Sequence, residues 1–311
     1  MKISFLFPGQ GAQYVGMGKD LYDKYEEVRN VYDRVSNILG IDVADLTFNS
    51  DEDVLSETHN TQIAIFTMSF GILELLKKNG IEADSLAGLS LGEYTALAYA
   101  DAFDFETAVK IIEIRGKIMQ DNVPEGNWQM AGVLGLSDED VEKACKSVTK
   151  GFVVPANYNC PGQVVVSGDE AGIAELSEKA KELGAKKVSV IKAKGPFHTE
   201  KLEVASEKLK LELDKVSMGT PKKTVYKNID SQKYTENDKI SEVLAKHVKC
   251  PVRFSGIIQN MIDEGVDTFV EIGPGKVLTS LVKRVSRDVK LLNINNVESL
   301  EQAILELKEI K

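Results

Sequence analysis

Ser90 stands in Gly88-Leu89-Ser90-Leu91-Gly92, between the short apolar run Ser85 to Leu89 and the Ala- and Leu-rich segment Gly92 to Tyr99. A nucleophilic serine on a strand-to-helix turn takes strained backbone angles, and small flanking residues let neighbouring chain pass close. The N–H groups that open the following helix then face a developing oxyanion. A tight turn without chemistry satisfies the same five residues, so the motif counts only if the chain also supplies a base. It has three histidines, His59, His198 and His247. His198 is the preferred base, because Lys194-Gly195-Pro196-Phe197-His198-Thr199 is a fixed loop, and scaffolded loops collect catalytic residues. His59 lies in the polar lead-in to a helix and reads as a capping or surface residue. His247 ends an amphipathic helix, where the dipole alone favours a histidine.

Two further stretches bear on the same chemistry. Phe7-Pro8-Gly9-Gln10-Gly11-Ala12-Gln13 follows an apolar run, but Tyr14 breaks the dinucleotide-binding glycine pattern and no phosphate-binding P-loop occurs. A glycine-flanked N–H beside the serine turn would serve as a second oxyanion donor; an ordinary turn is the alternative. Arg115 shares a helix with Val109, Ile112 and Met119. It either snorkels to water, the commoner arrangement, or faces a carboxylate that its planar fork binds bidentately.

The elements that must position these residues follow from patterning. Lys2 to Phe7 reads as a buried strand entering a Pro-Gly turn, and Lys19 to Leu39 as a surface helix. Thr61 to Lys78 is apolar almost all round, a buried helix with Gly80 past its end. Ser85 to Leu89 is a strand, Gly92 to Tyr99 opens a helix, and Phe105 to Gln120 is another. Near Asn127 the texture changes. β-type runs at Met130 to Leu134, Val153 to Ala156, Val164 to Ser167 and Lys187 to Ile191 alternate with helical segments Ser137 to Thr149 and Glu170 to Leu183, a ferredoxin-like β-α-β-β-α-β order. It reads as a small domain, residues 127–194, inserted into a large one formed by 1–126 and 195–311. The longer alternation then resumes. Helix Thr199 to Val216 precedes a strand near Thr224 to Asn228 and helices around Ile240 to Val248 and Gly256 to Glu264. Strand Asp267 to Ile272 leads to a helix from about Val277, and Val297 to Lys311 is a docked C-terminal helix.

Composition bounds the function class. A chain of 311 residues, 43% hydrophobic and 28% charged, has ample core for a soluble globular protein. Its formal charge of −10 argues against nucleic-acid binding. Cys145, Cys160 and Cys250 form neither a C-x-x-C motif nor a disulfide framework, which points to a reducing, cytoplasmic compartment without structural metal. The start of the chain is too short in apolar residues for a signal peptide, and no run approaches the roughly 18 apolar residues of a membrane span.

Together FPGQGAQ (7–13), NTQIAIF (60–66), AGLSLGEYTALAYA (87–100), RGKIMQDNVPEG (115–126), NYNCPGQVVVSG (157–168), GPFHT (195–199), PVRF (251–254) and EIGPGKVL (271–278) resemble the malonyl-CoA:acyl-carrier-protein transacylase family, in the family's order over nearly the whole chain. The resemblance implies an α/β-hydrolase-like large domain with a parallel sheet, plus an inserted ferredoxin-like small domain. It implies Ser90 as the acylated nucleophile, His198 as its base, and the backbone N–H groups of Gln10 and Leu91 as the oxyanion hole. Arg115 would pair with the malonyl carboxylate; Gln62, Met119, Asn159, Gln163 and Phe197 would line the pocket, the Phe197 ring leaving no room for an α-methyl group. The sequence departs from the family at Leu89, usually histidine, and at His247, usually glutamine or asparagine. The family residue at 247 orients the catalytic histidine through its backbone carbonyl, which any residue supplies.

The implied reaction is ping-pong transfer of malonyl from malonyl-CoA, through a malonyl-serine, to the phosphopantetheine thiol of acyl carrier protein, with no permanently bound cofactor. The acidic carrier would be steered by a local basic patch, with Lys192, Lys194, Lys276, Lys283 and Arg284 as candidates. The resemblance leans towards a monomer and a role in fatty-acid synthesis. Alternatives are a discrete polyketide acyltransferase, a non-catalytic scaffold member, and a serine thioesterase or hydrolase. A hydrolase would place an acid between Ser90 and His198 in the chain; Asp101 and Asp104 lie there, but in no recognisable strand-end loop.

Overall fold

The computed structural model describes residues 1–309, the side chain of Lys192 excepted. Five short strands form a sheet in the order β7-β2-β1-β8-β9, with every pairing parallel. They are β1 (Ile3–Phe7), β2 (Ser85–Gly88), β7 (Thr224–Val225), β8 (Thr268–Ile272) and β9 (Lys290–Ile294). A parallel sheet covered on both faces needs strands apolar on both faces, and β1, β2 and β8 are buried at every residue. Alternation divides them. Phe5, Phe7, Leu86 and Val270 join the core that holds the helices Thr58–Lys78 and Leu91–Tyr99. Leu6, Ala87 and Phe269 join the opposite core, with the helices Phe254–Asp263 and Val277–Val285.

A second, antiparallel sheet has the order β4-β5-β3-β6, from β3 (Trp128–Leu134), β4 (Val153–Cys160), β5 (Gln163–Asp169) and β6 (Lys187–Lys192). The helices Asp138–Ser147 and Glu170–Glu182 bury Val141, Ala144, Ile173 and Leu176 against Ala131, Val133, Val164 and Val166. This is the ferredoxin-like arrangement the pattern predicts. Its edge strand β4 is tied to the other sheet's connections by Tyr158 N–H to Val252 O (2.8 Å) and Val252 N–H to Ala156 O (2.8 Å).

Besides a strand near Thr224 that ends at Val225 and unexpected short helices over Val43–Phe48 and Glu52–Leu55, three features differ from the sequence reading. The helix expected over 19–39 breaks at Tyr25, whose extended angles separate Lys19–Lys24 from Glu26–Leu39. The helix expected from Thr199 starts as a 3₁₀ turn, Glu200–Leu202, and runs as an α-helix only over Glu203–Leu213. Strand β9 is unanticipated: it is an edge strand, only partly buried, and its residues lack the all-apolar signature of the central strands. The C-terminal helix is described over Val297–Glu309; its expected last two residues lie outside the described ones. No helix among the described residues is long and apolar enough to cross a membrane.

Candidate active site

Ser90 is the residue between β2 and the helix Leu91–Tyr99, and it has φ 54° and ψ −101°. Such angles are strained for any residue with a side chain and persist only where the surroundings hold them. Two glycines make the turn sterically feasible: a Cβ on Gly88 would lie 1.9 Å from Gly92 C, and one on Gly92 would lie 2.0 Å from Phe7 O. An asparagine that the sequence reading missed clamps the turn. Asn228 Oδ1 accepts from the Ser90 N–H (2.8 Å), and its Nδ2 donates to Gly88 O (2.7 Å).

The Ser90 hydroxyl is the meeting point of two loops and a helix. His198 Nε2 is 2.8 Å from Oγ, and Arg115 Nη2 donates to the same oxygen at 3.0 Å. His198 also has positive φ, 60°, and its own N–H is held by Val248 O at 3.1 Å. Its Nδ1 faces two carbonyls, His247 O at 3.0 Å and Cys250 O at 3.2 Å. Two acceptors require a proton on Nδ1, which leaves the Nε2 lone pair for the serine proton. Burial first, then the Arg115 charge, lowers the His198 pKa to about 4, against the opposing pull of the two carbonyls. The imidazole is therefore neutral at neutral pH, the form a base needs.

Arg115 is 1% exposed, so it does not snorkel. Its Nη1 donates to Gln62 Oε1 (2.6 Å), it lies over the Tyr94 ring, and its Nε has no partner. Burial lowers its pKa, yet an arginine stays charged, so a buried guanidinium sits on the nucleophile without a carboxylate in contact. A guanidinium so placed can bind a carboxylate bidentately.

The other expected residues fall into place unevenly. Gln62 and Met119 are buried side by side, Gln62 Nε2 being 3.9 Å from Met119 Sδ. Phe197 is buried beside the base, and Asn159 on β4 is buried with its Oδ1 unpartnered. Gln163 is not brought to the dyad by any hydrogen bond: its Oε1 accepts from Arg284 Nη1 at 3.0 Å near the surface. Leu91 opens its helix, so its N–H is one of the first-turn donors without an intrahelical partner. Gln10 follows Gly9, whose added Cβ would lie 2.3 Å from Leu89 O, so this loop abuts the serine turn. His59 is engaged elsewhere, its Nδ1 3.0 Å from Gln120 Oε1. Asp101 pairs with Lys222 and Asp104 caps a helix through the Thr107 N–H, so neither backs the base.

Behind the dyad lies a second polar cluster that the sequence reading did not single out. Glu93 is wholly buried; its Oε1 accepts from Tyr234 Oη (2.5 Å) and its Oε2 from the Asn228 N–H (3.0 Å). His247, also wholly buried, places Nδ1 3.4 Å from Glu93 Oε2, and neither of its ring nitrogens makes a hydrogen bond. A lone carboxylate inside the Ala- and Leu-rich helix Leu91–Tyr99 was the available signal for Glu93. Asn228 carried none.

A strained, glycine-flanked serine, a carbonyl-oriented histidine and a buried free guanidinium, on an α/β fold, define an acyltransferase. The acyl transferase domain model matches residues 4–304. The chain is 43% identical over 310 residues to the malonyl CoA-acyl carrier protein transacylase of Bacillus subtilis, covering 99% of this chain and 98% of that one. The solved malonyl CoA-acyl carrier protein transacylase of Clostridium perfringens superposes with a TM-score of 0.94 at 44% identity, covering 100% of this chain and 98% of that one. A malonyl-transacylase solved in complex with its type II PKS acyl-carrier protein gives 0.95 at 33% identity, covering 98% of this chain and 100% of that one. The chain belongs to the malonyl-CoA:acyl-carrier-protein transacylase family.

Proposed function

We infer that this protein is an acyl-carrier-protein S-malonyltransferase, moving malonyl from malonyl-CoA to the phosphopantetheine thiol of acyl carrier protein for fatty-acid biosynthesis. The observation that carries the reading is the buried Arg115 guanidinium, free of any carboxylate and 3.0 Å from Ser90 Oγ. The carboxylate of a malonyl group is one methylene from the thioester carbonyl. It reaches a guanidinium adjoining the nucleophile while the carbonyl carbon sits over Oγ.

Ser90 Oγ attacks the thioester carbonyl as its proton passes to His198 Nε2, and the oxyanion rests on the Gln10 and Leu91 N–H groups. The carbon–sulfur bond breaks, and CoA leaves with the proton returned from His198. The carrier thiol gives its proton to His198 and attacks the malonyl-serine carbonyl; the ester carbon–oxygen bond breaks and His198 returns the proton to Oγ, regenerating Ser90. Every proton and every donor in this scheme comes from the chain, the thioester or the thiol. Gln62, Met119, Asn159 and Phe197 line the acyl pocket, with Gln163 at its outer end. The division into a catalytic part, residues 1–126 and 195–311, and an inserted part, 127–194, is the organisation we assign. The carrier docks transiently against a cytoplasmic monomer.

Intact-mass measurement after mixing with malonyl-CoA tests the reading. One malonyl adduct on the wild type, none on Ser90→Ala, and discharge only when a carrier thiol is added are the expected results. An adduct of equal yield on Ser90→Ala removes the serine from the mechanism. Rapid CoA release without acceptor favours a hydrolase instead.

A further inference from the structure

The Ser90–His198 dyad is held by two separate pieces of chain, and both lead to one carboxyl group. On the serine side, Asn228 clamps the strained turn at both ends, and the Asn228 backbone N–H is itself anchored on Glu93 Oε2 at 3.0 Å. On the histidine side, His198 Nδ1 is oriented by the carbonyl of His247, whose ring stands 3.4 Å from the same Oε2. The two imidazole rings lie near each other, with centroids 5.1 Å apart. Glu93 Oε1 is fixed by the Tyr234 hydroxyl. All six residues are buried, Ser90 being the most accessible at 9%. The His247 ring is the anomaly. A wholly buried imidazole with both nitrogens unpaired is costly, and one of them lies 3.4 Å from a carboxyl oxygen without making a hydrogen bond to it.

We propose that Glu93 is the shared positioning residue of the dyad: as a carboxylate it holds Asn228 and so the Ser90 turn, and a proton gained between Glu93 and His247 loosens that hold and slows acylation. The inference rests on the transferase reading of Ser90 and His198. Its chemistry is a proton equilibrium only. Protonation at Glu93 Oε2 converts a charged acceptor of the Asn228 N–H into a weaker neutral one and puts an O–H opposite the free His247 Nδ1. The ring, and the carbonyl on its backbone, are then drawn towards Glu93 and away from the register that orients His198.

The surroundings place this equilibrium within reach of neutral pH. Burial raises the Glu93 pKa to about 7, with Asp230 acting in the same sense; the Tyr234 and Asn228 hydrogen bonds and the Arg115 charge act against it. The ionisable groups facing it from the packed elements are Arg115, Asp230, Tyr234 and His247, with Tyr94 on its own helix and His198 beyond His247. Burial first, then the neighbouring His198 and the Arg115 charge, hold His247 well below its ordinary range, so it enters the contact as a neutral acceptor. The base itself titrates lower, near 4, so a limb near neutrality and a limb of the base are separable.

The test is the rate constant for malonyl-adduct formation at saturating malonyl-CoA, by rapid quench and mass measurement, from about pH 5 to 9. The wild type is expected to lose rate as pH falls through a limb near 7. Tyr234→Phe keeps the ring but removes a hydrogen bond to the charged form, so its limb moves up by about half a pH unit or more. Glu93→Gln cannot ionise. It is expected to be roughly tenfold slower at the alkaline end and flat through the neutral range, with KM for malonyl-CoA within about twofold of wild type. Wild-type rates and an unmoved limb in both variants overturn the proposal, as does a Tyr234→Phe loss that is uniform in pH and accompanied by a raised KM. Should Glu93→Gln not fold, the direction of the Tyr234→Phe limb decides alone. An adduct on Ser90→Ala in the same assay sinks the transferase reading instead, so the two failures are distinct.

Discussion

At the scale of single residues, the roles we propose for Arg115 in selectivity and His198 as base are both set by what is not beside them. Arg115 touches Gln62 and Ser90 and, among the described residues, pairs with no carboxylate, Glu93 acting on it only at a distance, so its fork is open to a substrate carboxylate. Arg115→Ala is expected to lower kcat/KM for malonyl-CoA by about 100-fold, the scale of a charge-assisted, desolvated pair, while acetyl-CoA loses about threefold or less. Equal losses for the two thioesters would make the arginine structural. His198 is backed by two carbonyls where a hydrolase would use an acid; they only partly offset burial and the Arg115 charge, and its pKa falls to about 4. A depressed histidine stabilises the fold above the unfolded value near 6.5, and that contribution disappears as pH falls through the folded value. It is on the order of 3 kcal/mol. Urea unfolding from about pH 7 to 4 should therefore steepen in the wild type relative to His198→Gln. Parallel curves would contradict this assignment. At this scale the sequence was legible where residue type was rare or locally framed: three histidines, one glycine-flanked serine and one arginine on an apolar helix face. Asn228 and Glu93 were not, because one asparagine among many polar residues carries no local signal, and its partner Ser90 lies 138 positions away.

The serine turn works at the scale of elements because β1, β2 and the helix Leu91–Tyr99 are packed closer than side chains allow. The Gly92 Cα faces the end of β1, and an added Cβ would stand 2.0 Å from the Phe7 carbonyl oxygen. Backbone cannot yield there without shifting a central strand. Gly92→Ala should lower unfolding free energy by roughly 3 kcal/mol or more and abolish adduct formation. A variant with wild-type denaturation midpoint and adduct yield would show the elbow to be looser than its geometry. The central strands and the buried helix Thr58–Lys78 could be read from apolar runs, because elements covered on both faces have little choice of composition. Strand β9 and the break at Tyr25 escaped, since partly buried edges and helix interruptions are decided by neighbours.

Over the whole molecule, the proposed docking of an acidic carrier on a chain of charge −10 requires charge to be unevenly spread. Lys194, Lys276 and Lys283 are exposed and make no ion pair among the described residues, whereas Arg284 is exposed but held to Gln163. The Lys192 side chain lies outside the described residues. Reversing Lys194, Lys276 and Lys283 together to Glu should lower kcat/KM for the carrier by about tenfold at low salt, with malonyl-CoA loading unchanged. Stopped-flow transfer at two ionic strengths checks it; equal loss in both half-reactions would place the effect in the fold. The amino-acid sequence by itself determined the mixed α/β architecture and the family, and nominated the nucleophile and base proposed here, because each rests on local pattern: glycines at a turn, scarce residue types, strand and helix periodicity. Only the tertiary structure decided that Arg115 is buried and free, that two carbonyls rather than an acid back His198, and that Glu93 and Asn228 lie behind both. Burial and partnership are properties of segments folded against one another, and no short window of sequence contains them.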